Sequence, residues 1–213
     1  MNTQNLKKSR RNSPMTSSED SVVDRSAMAA REIFGKAMAL FEKNGFRRTS
    51  MNEVAEACGV TKPTLYYYFR NKSHLLEILY EDITKEFFSQ VGELSEAKGS
   101  AAQRLHQLIT LQVTYNIAHR SFLSIFWRER HELDMAARKS LAGMERGFEK
   151  MVEAIINDGK ADGTLNECDT QTVTYSILGL LSTVHRWSVY VDRKPDEIAN
   201  EMANLVLRGL VKS

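Results

Sequence analysis

The sequence predicts an all-α protein, with a small N-terminal helical unit and a larger helical body behind it. Three observations carry this. Only 3 prolines and 11 glycines occur in 213 residues, which leaves little material for the tight turns of a strand-rich fold. Apolar residues recur at helical spacing through every long segment, and neither a convincing strand pattern nor an internal repeat interrupts them. The hydrophobic fraction of 42% is enough to fill a core in a chain of this length.

Residues 1–24 are rich in Ser, Asn, Lys and Arg, with Lys7, Lys8, Arg10 and Arg11. They read as a disordered basic tail, either solvated or touching a polyanion backbone. From Ala30 the positions Ile33, Phe34, Ala37, Leu40 and Phe41 form one helical stripe, and Asn44-Gly45 closes it with a left-handed cap that lets Phe46 pack back underneath. Ser50 followed by Glu53 makes a capping box for a short helix over about 51–58, with Met51, Val54 and Ala55 on one face. Gly59 stops it. Thr61 caps the next helix, with Pro63 in the first turn where a missing N–H is harmless. Asn71 breaks the chain before a helix running from about Ser73 to Gly92.

Further helices are expected over about 101–119, with Leu105, Leu108, Ile109, Gln112 and Val113 along it, then over 122–130, 133–160, 169–190 and 195–210. The predicted organisation is a tail (1–24), a tri-helical unit (25–72) and a regulatory body (73–213).

Charge is divided unevenly. Residues 1–80 hold 13 Lys/Arg against 8 Asp/Glu, and the remainder holds 16 against 19. A basic front on a mildly acidic body suits one polyanion-facing module. Cys58 and Cys168 match no zinc or redox spacing, so a reducing, cytoplasmic setting is expected. No stretch approaches the ~18 apolar residues of a membrane span. His131-Glu132 opens like a zinc-protease helix, but position 135 is Met, and no phosphate-binding glycine loop or nucleophile elbow occurs. The chain is therefore expected not to be an enzyme, and no metal or cofactor is expected.

Two short helices joined by a tight glycine turn, braced by a third, form a helix-turn-helix whose second helix enters the DNA major groove. That helix leaves Thr61, Lys62, Pro63, Thr64, Tyr66, Tyr67 and Tyr68 at or near the surface, with Leu65 and Phe69 buried. Tyrosine hydroxyls reach phosphates and their rings meet thymine methyls. The alternative for Tyr68 is a partly buried place in the core. Lys72 lies where an ammonium and a helix N-terminus could hold one phosphate.

The run Thr49-Ser50-Met51, Ala55 to Val60, and Thr61-Lys62-Pro63-Thr64-Leu65-Tyr66-Tyr67-Tyr68-Phe69-Arg70-Asn71-Lys72 resembles the signature of the TetR family of regulators. The resemblance implies Thr49 and Ser50 as phosphate contacts, Lys62, Pro63 and Thr64 facing base edges or adjacent backbone, Tyr66 and Tyr67 divided between base and phosphate, and Lys72 on phosphate. Met51 stands where some relatives carry a base-reading arginine. The resemblance further implies a C-terminal domain that combines ligand cavity and dimer interface.

The apolar residues around the helix near 173–184 and along the last helix independently favour a homodimer on a palindromic operator of double-stranded DNA. Phe122, Phe126, Trp127 and Trp187 could line a cavity, with Arg128, Arg130, Arg138, Arg146 and Arg186 beside them. Arginine beside an apolar pocket suits an anionic ligand. Arg130-His131-Glu132-Leu133, the glycines 159, 163 and 179, and Arg186-Trp187 are similar to the TetR branch that senses CoA thioesters. The expected ligand contacts are Phe126, Trp127, Arg130, Arg186 and Trp187, and the expected effector is a CoA thioester or fatty acid. The competing expectations are aromatics that only fill core, arginines that only pair with Asp134, Glu145 or Glu149, and a nucleoid-associated DNA binder with a closed, fully packed body.

Overall fold

The computed structural model describes residues 32–211. The expected basic tail, the start of the tri-helical unit and Ala30 lie outside the described residues. The chain runs through α1 (32–44), α2 (Met51–Cys58), α3 (Lys62–Tyr68), α4 (Lys72–Glu96), α5 (Ala101–Ala118), α6 (Arg120–Glu129), α7 (Met135–Ala161), α8 (Thr170–Ser182), α9 (Val184–Trp187) and α10 (Pro195–Leu210). Among the described residues there is no strand; Leu165 and Val211 form one isolated antiparallel bridge.

The local signals place the elements as expected. Gly45 sits at φ +85° and donates its N–H to Phe41 O at 3.0 Å, and Phe46 turns its ring edge onto Phe41 at 5.0 Å. Ser50 N donates to Glu53 Oε2 at 2.7 Å and Glu53 N donates to Ser50 Oγ at 3.2 Å, completing the capping box of α2. Gly59 ends α2 at φ +68°, a conformation that favours glycine because a Cβ would crowd the backbone. Asn71 Oδ1 accepts from His74 N at 2.8 Å, so α4 starts one residue earlier than expected and runs on to Glu96.

One expected helix is divided. The apolar run over 169–190 forms α8, a break at Thr183, α9 and a 3₁₀ turn (Ser188–Tyr190). Ser182 Oγ donates to Gly179 O at 2.9 Å, and the Thr183 N–H caps onto Leu181 O. A hydroxyl bonding back to a carbonyl three residues earlier offers the chain an alternative to the helical ladder. Similarly, Leu133 does not begin α7: Asp134 Oδ1 accepts Ala137 N at 2.9 Å and starts the helix at Met135, after a 3₁₀ turn (Arg130–Glu132).

Two hydrophobic clusters fill the molecule. The first joins α1–α3 to the front of α4, all of α6 and the front of α7, through Phe34, Phe41, Leu65, Phe69, Leu76, Phe122 and Leu141. The second lies between the rear of α4, α5, the rear of α7, α8, α9 and α10, through Phe87, Leu108, Val152, Ile177 and Met202. α4 runs through both, so the three-helix unit is packed continuously onto the body. Gly159 in α7 shows how tight the second cluster is. A Cβ there would lie 2.5 Å from Leu165 Cγ and 2.7 Å from Ala101 Cβ.

Candidate DNA interface and regulatory cavity

α3 is fixed by one buried side, Leu65 with Phe69 at its end, and this decides which residues remain outside. Lys62, Pro63 and Thr64 are exposed, Tyr66 is 41% exposed and Tyr67 is 84% exposed. Tyr68 is half-buried against the first cluster, in edge contact with Tyr67 at 5.2 Å. Thr61 Oγ accepts Thr64 N at 3.3 Å and caps α3. Ser50, Met51, Asn52, Lys62 and Tyr66 line a shallow groove between α2 and α3, with Thr49 and Lys72 at its base. Lys62 Nζ lies 5.8 Å from the Tyr66 ring centroid. Six expected contact residues are thus exposed, Ser50, Lys62, Pro63, Thr64, Tyr66 and Tyr67, and three of them, Ser50, Lys62 and Tyr66, line the groove.

Two others face inward. Thr49 is 1% exposed and its hydroxyl donates to Gly45 O at 2.9 Å, bracing the α1–α2 turn. The ammonium of Lys72 donates to Phe46 O at 2.7 Å, Arg47 O at 3.1 Å and Thr49 O at 2.8 Å, above the Phe46 ring. Three protons on three carbonyls leave no donor for phosphate. Burial lowers the Lys72 pKa, and nearby Glu132, Glu129 and Glu53 act the other way. Met51 is also turned into the core, at 8% exposure.

The body contains a cavity of about 400 Å³ between α4, α5, α6, α7 and α8. Phe87, Phe88, Tyr115, Phe148, Trp127 and Tyr175 supply aromatic walls, while Gln112, Asn116, Glu145 and Glu149 supply polar atoms. An open space of this size does not favour the fully packed body that an effector-free DNA binder was expected to have.

The expected ligand residues separate in space. Trp127 lines the cavity. Arg130 stands behind it, 4.8 Å from the Trp127 ring and 3.1 Å from Glu145. Phe126 is 1% exposed and stacks on Tyr80 with centroids 4.1 Å apart, so it is core. Arg186 lines a different cleft, beside Lys43, Arg120 and Arg128 on the far side of α6. Trp187 is half-buried in the second cluster. No arginine lines the cavity among the described residues; two glutamates do. The α5 stripe held the missed signal: Gln112 and Asn116, four apart, are polar residues on an otherwise apolar side.

Polar contacts tie the α1–α2 turn to the end of α6 and the 3₁₀ turn that follows it. Arg47, in the turn that Lys72 clamps, donates to Glu129 Oε2 at 3.0 Å, pairs with Glu132 at 3.3 Å and contacts His131 Nε2. Burial pushes Glu129 up, but hydrogen bonds from Arg47 and Arg128 outweigh it and hold the carboxyl below its ordinary value. Glu129, His131 and Glu132 bring ligand-type atoms within 4.8 Å of one another. The Arg47 guanidinium occupies that cluster and supplies its counter-charge.

Comparison with known proteins agrees with this arrangement. Residues 33–79 match the family model described as bacterial regulatory proteins, tetR family, and residues 98–210 match the tetracyclin repressor-like C-terminal domain. The chain is 24% identical over 182 residues to the fatty acid metabolism regulator protein of Bacillus subtilis, covering 84% of this chain and 92% of the relative. It is 23% identical over 186 residues to the transcriptional repressor KstR2 of Rhodococcus jostii, covering 84% and 89%. Its fold is shared with FadR of Bacillus subtilis, solved in complex with stearoyl-CoA, at a TM-score of 0.71 and 20% identity over 84% of this chain and 98% of that one. A tyrosine-bearing helix-turn-helix, a helical body with a cavity and two matching family models together place this chain in the TetR family of DNA-binding transcription regulators.

Proposed function

We propose that the protein is a homodimeric repressor that leaves a palindromic operator when the apolar part of a CoA thioester enters the cavity. The observation that carries this is the aromatic cavity of about 400 Å³, walled in part by α4, the helix that begins at Lys72 under the reader. A ligand that binds better when α4 and α6 are displaced shifts the population toward an arrangement that cannot hold DNA. The solved complex of a relative with stearoyl-CoA supports the effector class.

The charges suggest how such a ligand would lie. Glu145 and Glu149 line the interior, so a phosphate-bearing head is disfavoured there and a neutral acyl group is accepted. Arg130, 4.8 Å from the Trp127 ring, would meet the anionic head. Tyr175, Leu180, Val189, Tyr190 and Leu205 are exposed apolar side chains on α8, the α9 turn and α10, and a second subunit would cover them. In a two-fold dimer two α3 helices would stand ~34–36 Å apart, about one DNA turn. Ser50, Lys62, Pro63, Thr64, Tyr66 and Tyr67 would make the DNA contacts, with Thr49 and Lys72 holding the turn behind them.

The test is fluorescence anisotropy on an operator selected from random duplex DNA. Stearoyl-CoA should release the DNA while CoA alone should not. Retention of operator at saturating stearoyl-CoA, with binding of the thioester demonstrated separately, would reject the release mechanism.

A further inference from the structure

Most side chains that line the groove between α2 and α3 are already committed. The Thr49 hydroxyl is buried on Gly45 O, and the Lys72 ammonium is spent on three carbonyls. Ser50 Oγ accepts from Glu53 N at 3.2 Å and its hydroxyl donates to Glu53 Oε2 at 2.7 Å. Met51 is 8% exposed and carries no strong hydrogen-bonding group. Beside the groove, the Thr61 and Thr64 hydroxyls bond to each other at 2.8 Å. Three lining side chains keep polar atoms for DNA: the Lys62 ammonium, the Tyr66 hydroxyl and the Asn52 amide. Asn52 is the second residue of α2, is exposed, and takes no part in the hydrogen bonds that cap the helix.

We propose that Asn52 reads an adenine in each half-site of the operator, pairing its amide with N7 and the N6 amino group on the major-groove edge. This rests on the reading of the groove as the DNA interface. The three free groups differ in what they can tell apart. An ammonium supplies donors alone, which a phosphate or the two acceptors of guanine satisfy. A phenolic hydroxyl bonds through one atom, so it matches several bases. A primary amide holds a donor and an acceptor side by side in one plane. Adenine presents the complementary pair, an acceptor at N7 beside a donor at N6, whereas guanine presents two acceptors there. Phosphate has a better partner than a neutral amide. Lys62, on the α3 wall 5.8 Å from the Tyr66 ring, is the one free cation among the described residues that line the groove. Asn52 on the α2 wall therefore adds sequence preference, and Lys62 adds affinity for any sequence.

The experiment uses the full chain and duplexes selected from a random library, with Kd values from fluorescence anisotropy. Sequences selected by the native protein should carry adenine at one symmetry-related position in each half-site, where Asn52→Ala selects no base. Exchanging both adenines for guanine should weaken native binding about a hundredfold, at about tenfold per half-site, and leave the Kd of Asn52→Ala nearly unchanged. Replacing the same adenines by 7-deazaadenine, which lacks only the N7 acceptor, should weaken the native protein and spare Asn52→Ala. Asn52→Asp, of the same shape without the N–H donors, should lose the adenine preference as well. The melting temperature of Asn52→Ala should match that of the native protein, because the side chain is exposed and outside the α2 cap. An adenine preference that persists in both variants would overturn the inference. So would a native selection with no symmetric adenine, or an Asn52→Ala protein that loses affinity uniformly for all sequences, as removal of a phosphate contact would. Lys62→Ala, run in parallel, separates the two readings. Weaker binding in Lys62→Ala with an unaltered base preference in Asn52→Ala removes only the adenine contact, and unaltered affinity and preference in both variants remove the groove as the interface.

Discussion

Replacing Lys72 by methionine separates a structural lysine from a DNA-contacting one. The ammonium donates to three carbonyls at 2.7, 3.1 and 2.8 Å in the turn that precedes α2. A hydrogen bond from a charged donor contributes about 1.5–3 kcal/mol when shielded, and much less when solvent competes. Lys72 is half-buried, so the three together are worth about 2–3 kcal/mol. In a chain of this size that corresponds to a melting-temperature loss of roughly 4–12 °C. Operator affinity is then measured against salt. A lysine that neutralises a phosphate adds about one unit to the slope of log K against log salt for each reader. K72M should lower stability and leave that slope unchanged. Lys62→Ala, on the exposed face of α3, should do the reverse. An unchanged melting temperature in K72M together with a slope reduced to the extent seen for K62A would refute the assignment of Lys72 as a clamp.

Arg47→Met removes the cation that joins the α1–α2 turn to Glu129 and Glu132. It should lower the melting temperature and weaken the dependence of operator affinity on effector, while calorimetry shows effector Kd in the DNA-free protein changed little. Normal release in that variant would remove Arg47 from the coupling route. Burial depresses the pKa of His119, with Glu86 opposing, and of His185, where Arg186 adds to the depression. Below the ordinary value near 6.5 the unfolded chain binds more protons than the folded one, so the stability present above pH 6.5 falls as the solution is acidified through the folded values. Urea unfolding at pH 7.5 and 5.5 should show that loss, and His185→Leu should reduce it; an unchanged loss would exclude His185 as a source. Gly159→Ala should destabilise by about 1–3 kcal/mol from overpacking, less the ~1 kcal/mol that alanine gains in helix propensity. A variant more stable than the native protein would show that Leu165 can move aside.

The short-range signals were legible because each is completed within a few residues. Ser50 with Glu53, Gly59, Thr61 with Pro63, and Asn71 set the ends of α2, α3 and α4 through local hydrogen bonds and allowed φ values alone. The periodicity of Leu65 and Phe69 against Tyr66 and Tyr67 likewise gave the outward face of the reader. The break at Thr183 was less legible, because an apolar run of that length reads as one helix until the hydroxyls of neighbouring residues are seen to turn back on it.

By itself, then, the sequence determined the class, the order of helices, the family and the exposed side of α3. Only the tertiary structure decided which polar side chains are free. Lys72 looks like a phosphate ligand by its position in the chain, and becomes a clamp because a turn 23–26 residues earlier presents three carbonyls to it. Phe126, Arg186 and Trp187 look like one pocket because they are aromatic or cationic, yet α6 carries Trp127 toward the cavity and the cleft of Arg186 lies on its other side. Local sequence carries backbone preference and helical face; the partner of a side chain is set by residues dozens of positions away, and only packing brings those together.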